Sequence, residues 1–421
     1  MNYYRKIFID RLVGTPLIFI TNIIARLAGF LLRRNHSLKD IPQRVIVCKL
    51  VGIGSIVQST TLLMNLKKQF PELKIAYLSS SGNQVLLENI PLVDEVITIN
   101  DQSLFSLFIS TMKAIWKCWR FKPDIFLDIE VYSNLTSILS CFSMARDRIG
   151  FYRKDQSMRL GIYTHMLYFN IKAPINQSNL QMGRQIGCVN TSSELFPIEV
   201  SVSVKKNAEK KLSENYQLIP GQYILINPNA SDLRIERRWR AERFTEFINK
   251  ISEVSDLKCV LIGSKDERSY VESIIKNVNP DIASNLINTA GELSIPELLC
   301  LIKNATFMLT NDTGPMHLAF ALKTKTLSLF GPCNPIQYGN MTNGIAIYKE
   351  VYCSPCVHEF LIPPCYGDNQ CMKMISVKEV LEAVDKIIRG ATKTTVVPGV
   401  LYNKENSDVP LGLITRKQWV I

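Results

Sequence analysis

The sequence has too little glycine and proline for a fibrous or disordered chain: 20 Gly and 19 Pro occur among 421 residues. With 47% hydrophobic and 20% charged residues, its composition is that of a globular protein. No short-period repeat is present. At about 150 residues per domain, the length predicts two or three domains, each able to bury a core.

The N-terminal segment lacks an uncharged run long enough to cross a membrane comfortably. Its longest uncharged stretch is residues 12–25, interrupted by Gly14 and Pro16, whereas a spanning helix needs about 20 apolar residues. No small-residue cleavage site follows, so we expect no cleaved signal peptide. Three alternatives remain: an interfacial or re-entrant helix on the cytoplasmic leaflet, which we favour, a true span, or an ordinary helix packed on the protein.

Acidic residues are outnumbered, 37 against 49 Lys and Arg, which gives a net charge of +12. Residues 1–44 carry eight basic and two acidic residues, and so contribute half of this excess. Basic charge beside an apolar run indicates an anionic membrane surface. A nucleic-acid-binding protein needs basic residues interleaved with aromatics on one face. Outside the N-terminal segment the charges of both signs are nearly interspersed, so we expect no nucleic-acid partner.

The chain lacks the paired CxxC motifs of a strong zinc signature, although it has eleven cysteines. Seven are scattered, several of them in apolar runs, as expected in a reducing compartment. Four are clustered between residues 353 and 371: Cys353, Cys356, Cys365 and Cys371. A structural zinc, disulfides and reduced packed thiols remain as alternatives for this cluster, with His358 as a spare ligand.

Strand-like and helix-like segments alternate from residue 44 to about 150 and again from 223 to 330. Strands separated by helices of 10–15 residues indicate βαβ units and a parallel sheet. We therefore predict an α/β protein with two doubly wound halves and ligands at the carboxyl ends of the strands and in the cleft between the halves. The predicted division is a helical membrane-associated segment (1–42), two Rossmann-like domains (43–205 and 206–390) and a tail (391–421).

The first strand is followed by a glycine-containing loop that includes Lys49, Gly52, Gly54 and Ser55. It is neither a full GxGxxG nor a P-loop, because no Gly-Lys-Ser/Thr follows. Glycines here let a ligand approach the backbone at a helix start. The alternative is a tight turn with Ser55 near the helix cap.

Two later strand ends carry residues suited to a diphosphate. The first is Ser231 with the basic Arg237 and Arg238, whose guanidinium groups bind phosphate oxygens well. The second is the segment 310–317, in which a helix begins after Asp312, Thr313 and Gly314, and His317 lies in its first turn. A structural role for Asp312, as a helix cap, and for His317 remains an alternative.

A third strand end, at Gly263, opens a loop in which Glu267 could accept hydrogen bonds from ribose hydroxyls. An ordinary surface loop explains this segment almost as well.

Taken together, the segments KLVGIGSIVQSTTLLMNLKKQFPELKI, INPNAS…RRWRAERF, LIGSKDER, TNDTGPMHLAFAL and LFGPCNP resemble glycosyltransferase family 9, the heptosyltransferase-like enzymes of bacterial lipopolysaccharide cores and related glycans. The resemblance covers about residues 44–385. It implies the GT-B fold, with acceptor on the N-terminal half and nucleotide sugar on the C-terminal half. It also implies inverting transfer without a catalytic metal or other cofactor. The implied diphosphate ligands are Ser231, Arg237, Asp312, Thr313, Gly314 and His317, with Glu267 near the nucleoside.

The sequence departs from this family at one position. The family's first loop ends in Gly-Asp, and that Asp is the expected catalytic base, but Ser55 stands here. A serine hydroxyl is too weak a base at neutral pH to act alone. Either another carboxylate serves, Glu130 first and Asp128 second, or Ser55 only orients the acceptor while Arg237 and the helix start stabilise the leaving group, or the protein binds without turnover.

The leading functional prediction is a glycosyltransferase at the cytoplasmic side of the inner membrane, peripheral or monotopic. Its partners would be a nucleotide-diphosphate sugar and a lipid-linked glycan or lipopolysaccharide acceptor. The alternative is a catalytically inactive binding component of a glycan assembly complex, favoured by Ser55. The sugar, heptose or a relative, and the nucleotide base stay open at this stage.

Overall fold

The structure is a computed structural model, and it describes residues 3–38, 40–153, 158–198, 200–230, 234–339, 343–357, 359–360, 362–389 and 396–398. The chain divides into two compact units, Met1–Phe196 and Pro197–Ile421. Each unit is built on one parallel β-sheet whose strands alternate with helices.

The first unit contains thirteen named elements within its described part. In chain order they are α1 (Tyr3–Leu12), α2 (Gly14–Leu32), β1 (Arg44–Cys48), α3 (Ile53–Gln69), β2 (Lys74–Ser80), α4 (Gln84–Glu88), β3 (Glu95–Ile99), α5 (Leu104–Phe121), β4 (Ile125–Asp128), α6 (Asn134–Phe142), β5 (Asp147–Tyr152), β6 (His165–Tyr168) and α7 (Ile175–Gln185). The strand order is β3-β2-β1-β4-β5-β6, so the chain reverses its direction across the sheet between β1 and β4.

The second unit continues this numbering. Its described elements are α8 (Val202–Tyr216), β7 (Tyr223–Asn227), α9 (Ala241–Val254), β8 (Lys258–Leu261), α10 (Arg268–Ile275), β9 (Leu286–Asn288), α11 (Ile295–Lys303), β10 (Phe307–Asn311), α12 (Gly314–Ala321), β11 (Thr326–Phe330), α13 (Pro335–Tyr338), β12 (Gly344–Tyr348), α14 (Gln370–Lys373), α15 (Val377–Ile388) and β13 (Val396–Pro398). The strand order is β13-β12-β11-β10-β7-β8-β9. The reversal here lies between β7 and β10.

The central strands are apolar because helices cover both faces of each sheet. Residues 45–48 of β1 are fully buried, and Val45 pairs with Ile75 of β2 on one side and Ile125 of β4 on the other. In the second unit, Leu309 of β10 pairs with Ile226 of β7. The predicted α/β fold with two parallel sheets is confirmed, and both reversal points place strand ends side by side for ligand binding.

Sequence periodicity missed β6, β9 and β12, although it predicted β3 at the edge of the first sheet. The segment 151–205 looked irregular, yet β6 lies within it and β5 overlaps its start. The side chains of β6 and β9 are only partly buried or exposed, so these strands lack the apolar runs that marked the central ones. Pattern alone identifies a strand when both of its faces are covered.

The N-terminal helices pack on the first unit through a narrow stripe. Only Gly14, Ile18, Thr21 and Ala25 of α2 are buried, a spacing that places them on one side of the helix, against α6. A Cβ atom added at Gly14 would lie 3.0 Å from Asn134 Cβ, so glycine permits this close approach.

Two polar side chains further along α2 anchor the same helix. Asn22 Nδ2 donates to the carbonyl oxygens of Met158, at 2.8 Å, and Leu160, and Arg26 Nη2 donates to Leu160 O at 3.3 Å. By length and composition α2 is also long and apolar enough to cross a membrane, and only 17% of its apolar window is buried. It is therefore docked on the protein while most of its surface is apolar and exposed.

Asp10 of α1 caps the first turn of α6. Its carboxylate accepts hydrogen bonds from the backbone N–H of Asn134 (2.9 Å) and Leu135 (3.1 Å) and from the Ser133 hydroxyl (3.3 Å). Burial raises the pKa of Asp10, although these donors act in the opposite direction. The N-terminal segment thus satisfies backbone groups that α6 cannot satisfy itself.

We predict that Asp10→Ala lowers the free energy of unfolding by about 1–2 kcal/mol, the range seen when a helix-capping side chain is removed. Urea denaturation followed by circular dichroism measures this change. Asp256→Ala is the control, because Asp256 is an exposed aspartate of the second unit. Equal effects of the two substitutions would contradict the capping role.

Candidate functional site

The segment after β7 is held against the end of β10 by one buried side chain, Asn311. Its amide nitrogen donates to the carbonyl oxygens of Pro228 (2.9 Å) and Asn229 (3.1 Å), and its oxygen accepts from Trp239 N at 3.1 Å. The indole of Trp239 is fully buried, and its Nε1 donates to Ile375 O. Asn311 therefore fixes both ends of the basic loop between residues 228 and 239.

The same strand ends share a second polar network. Asn227 Nδ2 donates to the hydroxyl oxygens of Thr310 (3.0 Å) and Thr313 (2.7 Å). Thr313 precedes α12 with extended backbone, but its side chain makes no capping bond to that helix. Asn227 thus holds the Thr313 hydroxyl at the start of α12.

Arg237 lies at the start of α12 and contacts Asp312. Its Nη1 donates to the backbone oxygen of Asp312 at 3.2 Å and lies 3.7 Å from its Oδ2. The guanidinium group is about one-fifth exposed, while the carboxylate is almost completely buried. A basic group is thus placed at the positive end of a helix, an arrangement that favours an anion between them.

His317 lies in the first turn of α12 and is 5% exposed. Its ring packs edge-on against Phe320 and Tyr338. Burial lowers the pKa of His317 to about 4, with Asp312 opposing and Arg237 reinforcing the change. The imidazole is therefore neutral at pH 7 and can donate one hydrogen bond while accepting another.

Arg238 points to a different neighbour from Arg237. Its guanidinium carbon lies 4.3 Å from the ring centre of Tyr270, and its Nη2 donates to Ala230 O at 3.1 Å. This cation–π contact fixes Arg238 next to the predicted diphosphate loop. Ser231, the other predicted ligand in the loop, lies outside the described residues.

Gly263 and Glu267 follow β8, as predicted, but each already has a structural task. A Cβ atom at Gly263 would lie 2.7 Å from Asn229 Nδ2, so only glycine lets these two strand ends meet. Glu267 Oε2 accepts from Ser264 N at 2.8 Å in a capping box. A nucleoside could therefore use only the hydrogen-bond acceptor positions of this carboxylate that Ser264 leaves unoccupied.

In the first unit, the loop after β1 meets the end of β4 through an ion pair. Lys49 Nζ lies 2.9 Å from Glu130 Oε1, and both side chains are largely buried. The other carboxylate oxygen of Glu130, Oε2, is buried without a hydrogen-bond partner among the described residues. An unpaired buried oxygen is costly in a folded protein, and this atom retains the capacity to accept a hydrogen bond.

The loop that carries Ser55 is shaped by glycine. Gly52 has a φ of +96°, and a Cβ atom there would lie 3.4 Å from Ser55 Oγ. Helix α3 then begins at Ile53, so Gly54 and Ser55 lie in its first turn, with Gly54 buried and Ser55 partly exposed. A side chain at position 52 would strain the backbone and touch the serine hydroxyl.

Asp128 is held more tightly than Glu130. Its Oδ1 accepts from the backbone N–H of Glu130 at 3.0 Å, and its Oδ2 accepts from the Tyr163 hydroxyl. Burial raises the pKa of Asp128 to about 6, while the nearby Arg159 and the hydrogen bonds act in the opposite direction. Both oxygens are therefore engaged inside the protein, whereas Glu130 keeps one unengaged.

The structure thus groups the predicted residues in two places. Arg237, Asp312, Thr313, Gly314 and His317 converge at the start of α12, and Lys49 meets Glu130 in the first unit. Sequence reasoning missed the buried amides that arrange the first group, Asn227 and Asn311. Their signal was present in the sequence, because each ends an otherwise apolar strand.

The four clustered cysteines border one small cavity of the second unit. All four are free thiols, and within the described part of the chain no three His, Cys, Asp or Glu side chains are arranged to hold a metal ion. Burial raises the pKa of Cys353, of Cys356 and, to about 12, of Cys371. Of the three alternatives, this arrangement supports reduced packed thiols; His358 lies outside the described residues.

The sequence is similar to those of known glycosyltransferases. The sequence model of glycosyltransferase family 9 (heptosyltransferase) matches residues 132–366. Lipopolysaccharide heptosyltransferase 1 of Campylobacter coli is 24% identical over 302 residues, 68% of this chain and 84% of that protein. Lipopolysaccharide heptosyltransferase 3 of Escherichia coli K12 is 21% identical over 352 residues, 80% of this chain and 95% of that protein.

Two solved structures share the fold. The family 9 glycosyltransferase of Veillonella parvula superposes with a TM-score of 0.68 at 20% identity, covering 82% of this chain and 97% of that one. The ADP-heptose lps heptosyltransferase II of Escherichia coli gives 0.67 at 18% identity, with 83% and 99% covered.

The two parallel sheets and these neighbours define an α/β protein with the GT-B fold. The family match spans more than half of the sequence, and the chain belongs to glycosyltransferase family 9. It is a glycosyltransferase, as the motif resemblance implied.

The raised pKa of Asp128 predicts a pH dependence of stability. Between the unfolded value near 4 and the folded value of about 6, the folded state holds more protons than the unfolded state, so the free energy of unfolding falls as pH rises through this window. A shift of this size corresponds to at most about 3 kcal/mol. We expect wild type, measured by urea unfolding at pH 4.5 and 7, to lose this stability relative to Asp128→Asn, which cannot ionise; parallel pH profiles would contradict the assignment.

Proposed function

We propose that this enzyme transfers a heptose or a related sugar from a nucleotide-diphosphate donor to a lipid-linked glycan or lipopolysaccharide acceptor, with inversion and without a catalytic metal. Family membership and the names of its relatives, lipopolysaccharide heptosyltransferases, support this reaction class. The observation that carries the proposal is the pairing of Arg237 with the start of α12, a site built for an anion. A solved heptosyltransferase with ADP shares the fold, and we therefore propose ADP-heptose as the first donor to test.

The donor diphosphate would bind at the start of α12. Backbone N–H groups and the positive end of the helix attract phosphate oxygens, Arg237 supplies charge-assisted hydrogen bonds, and Thr313 a hydroxyl. His317, neutral at pH 7 because of its lowered pKa, donates a hydrogen bond without adding charge. Asp312 positions Arg237, and the remaining predicted donor ligands are Ser231, Arg238, Gly263 and Glu267.

The acceptor would bind to the first unit near Lys49, Gly52, Gly54 and Ser55. We propose Glu130 as the general base, because its Oε2 has no hydrogen-bond donor among the described residues while Lys49 fixes the other oxygen. Asp128 is the weaker candidate, since both of its oxygens are engaged. Ser55 would orient the acceptor hydroxyl.

The proposed transfer accounts for every bond, electron pair and proton with the donor, the acceptor, Arg237 and Glu130. The acceptor oxygen forms a bond to the anomeric carbon as the bond from that carbon to the diphosphate oxygen breaks. The nucleoside diphosphate leaves with the bonding electron pair, stabilised by Arg237 and the helix start. The acceptor proton passes to Glu130.

The inactive binding component remains the competing proposal, and Ser55 is the residue that favours it. Assaying the protein with a panel of nucleotide sugars separates the two, because an inactive component would bind a donor without releasing its nucleotide. Localisation at the cytoplasmic side of the inner membrane is part of the leading proposal, since the exposed apolar side of α2 suits a membrane surface.

We predict that Glu130→Gln lowers the rate of transfer by about 10²- to 10⁴-fold, because a general base contributes this much, and that it leaves donor affinity unchanged. Transfer is measured with ADP-heptose and a lipopolysaccharide core acceptor, with and without a chelator, and we expect no effect of the chelator. Glu72→Gln is the control, because Glu72 is exposed. An unchanged rate and pH profile for Glu130→Gln would refute this base, and a metal requirement would refute the metal-independent mechanism.

We predict that Arg237→Ala weakens nucleotide diphosphate binding by about 10- to 100-fold, the loss expected when a charged hydrogen-bond donor is removed. Titration calorimetry with ADP measures it. Arg243→Ala is the matched control, because Arg243 lies on the exposed side of α9 and pairs with Glu246. Equal affinity of the two variants would place the diphosphate elsewhere.

A further inference from the structure

Helix α5 exposes a continuous apolar side that no motif had singled out. Its exposed large side chains include Phe105, Phe108, Met112, Trp116 and Trp119. Their spacing of three or four residues places them on one side of the helix. Phe105 is 77% and Phe108 62% exposed, so most of each residue's surface is in contact with solvent.

The opposite side of α5 is an ordinary core side. Ala114, Ile115 and Cys118 are buried in one apolar cluster with Leu139 of α6. Helix α5 is therefore firmly packed, and the exposed aromatic side is a surface feature of a stable element. Monomeric soluble proteins rarely expose apolar patches of this extent without a binding role.

Helices α5 and α2 lie on the same side of the first sheet. Connections β3-α5-β4 and β4-α6-β5 run in the same direction across the sheet, so right-handed crossovers place α5 and α6 on one side. Helix α2 packs on α6, and Trp119 Nε1 donates to Phe142 O at the end of α6. Helix α6 thus connects the two helices, and we call their combined exposed surface the α2/α5 surface.

The charges on this surface have one sign. Neither α2 nor α5 contains an acidic residue, while α5 carries Lys113, Lys117 and Arg120. Arg120 lies over the ring of Trp116, at 5.8 Å. Aromatic rings with basic side chains beside them are typical of the boundary between lipid headgroups and acyl chains.

We propose that the α2/α5 surface binds an anionic phospholipid membrane, with the aromatic side of α5 entering the interface and its basic residues contacting headgroup phosphates. This adds a second membrane-binding helix, remote in sequence from the N-terminal segment. Its apolar area supplies affinity and its charges supply the preference for anionic lipid.

The charge part of the proposal is tested by co-sedimenting the full chain with vesicles of phosphatidylglycerol and phosphatidylcholine, or of phosphatidylcholine alone. We expect Lys113→Glu with Lys117→Glu to weaken binding to the anionic vesicles by about tenfold or more at low salt. The matched control is Lys206→Glu with Lys210→Glu, which has the same spacing on the exposed side of α8. Equal binding by both pairs would overturn the proposal.

The apolar part is tested with Phe105→Ser and Phe108→Ser, which leave the packed side of α5 intact. We expect about tenfold weaker binding to the anionic vesicles and unchanged thermal unfolding. Val202→Ser with Val254→Ser, exposed apolar residues of the second unit, is the control and should bind as wild type. Unchanged vesicle binding in the Phe variant would overturn the proposal.

A second copy of the chain is the competing occupant of this surface. Sedimentation velocity without lipid should show the same mass for wild type and the Phe variant. A wild-type dimer that the Phe substitutions dissociate, with vesicle binding unaffected, would overturn the membrane assignment. A different result would count against the sugar-transfer proposal. In that case the wild-type protein would bind vesicles but would transfer no sugar to a soluble acceptor.

Discussion

The proposed donor site depends on the hydrogen bonds of one buried amide, Asn311. A parallel sheet delivers its strand ends to one edge, but it does not determine the path of the loops that leave them. By bonding to Pro228, Asn229 and Trp239 at once, Asn311 turns the loop after β7 back onto the end of β10. The position of Arg237 beside Asp312 follows from that connection, because Arg237 lies within the loop that Asn311 closes.

Sequence patterns predicted the architecture and the central strands because these are buried on both faces, and buried strands are apolar throughout. They missed β6 and β9, whose side chains lie partly in solvent. For the site, the pattern identified residues by chemical type at two separate strand ends, and the structure brings Arg237 to the helix start that carries Thr313 and His317. It did not show that Glu267 is engaged in a capping box, or that Tyr163 occupies an oxygen of Asp128, because such pairings join residues distant in sequence or depend on loop geometry.

The N-terminal segment illustrates how one sequence feature serves two purposes. Its apolar composition and basic charge indicated a membrane surface. In the structure its polar residues are attachment points: Asp10 caps α6, and Asn22 and Arg26 bond to backbone oxygens near residue 160. The apolar majority of α2 is then left exposed, so docking on the protein and contact with lipid are compatible, since each uses a different side of the helix.

The arrangement of β1 and β4 bears on the proposal that Glu130 replaces the aspartate that the family has at the position of Ser55. The loop after β1 and the end of β4 are adjacent because β1 and β4 are neighbours in the sheet. A carboxylate on either strand end therefore reaches the same space. Lys49 draws Glu130 to the loop that carries Ser55, while Asp128 is kept inside by Tyr163. This adjacency supports the proposal that Glu130, at the end of β4, supplies the basic oxygen that the family takes from the loop after β1.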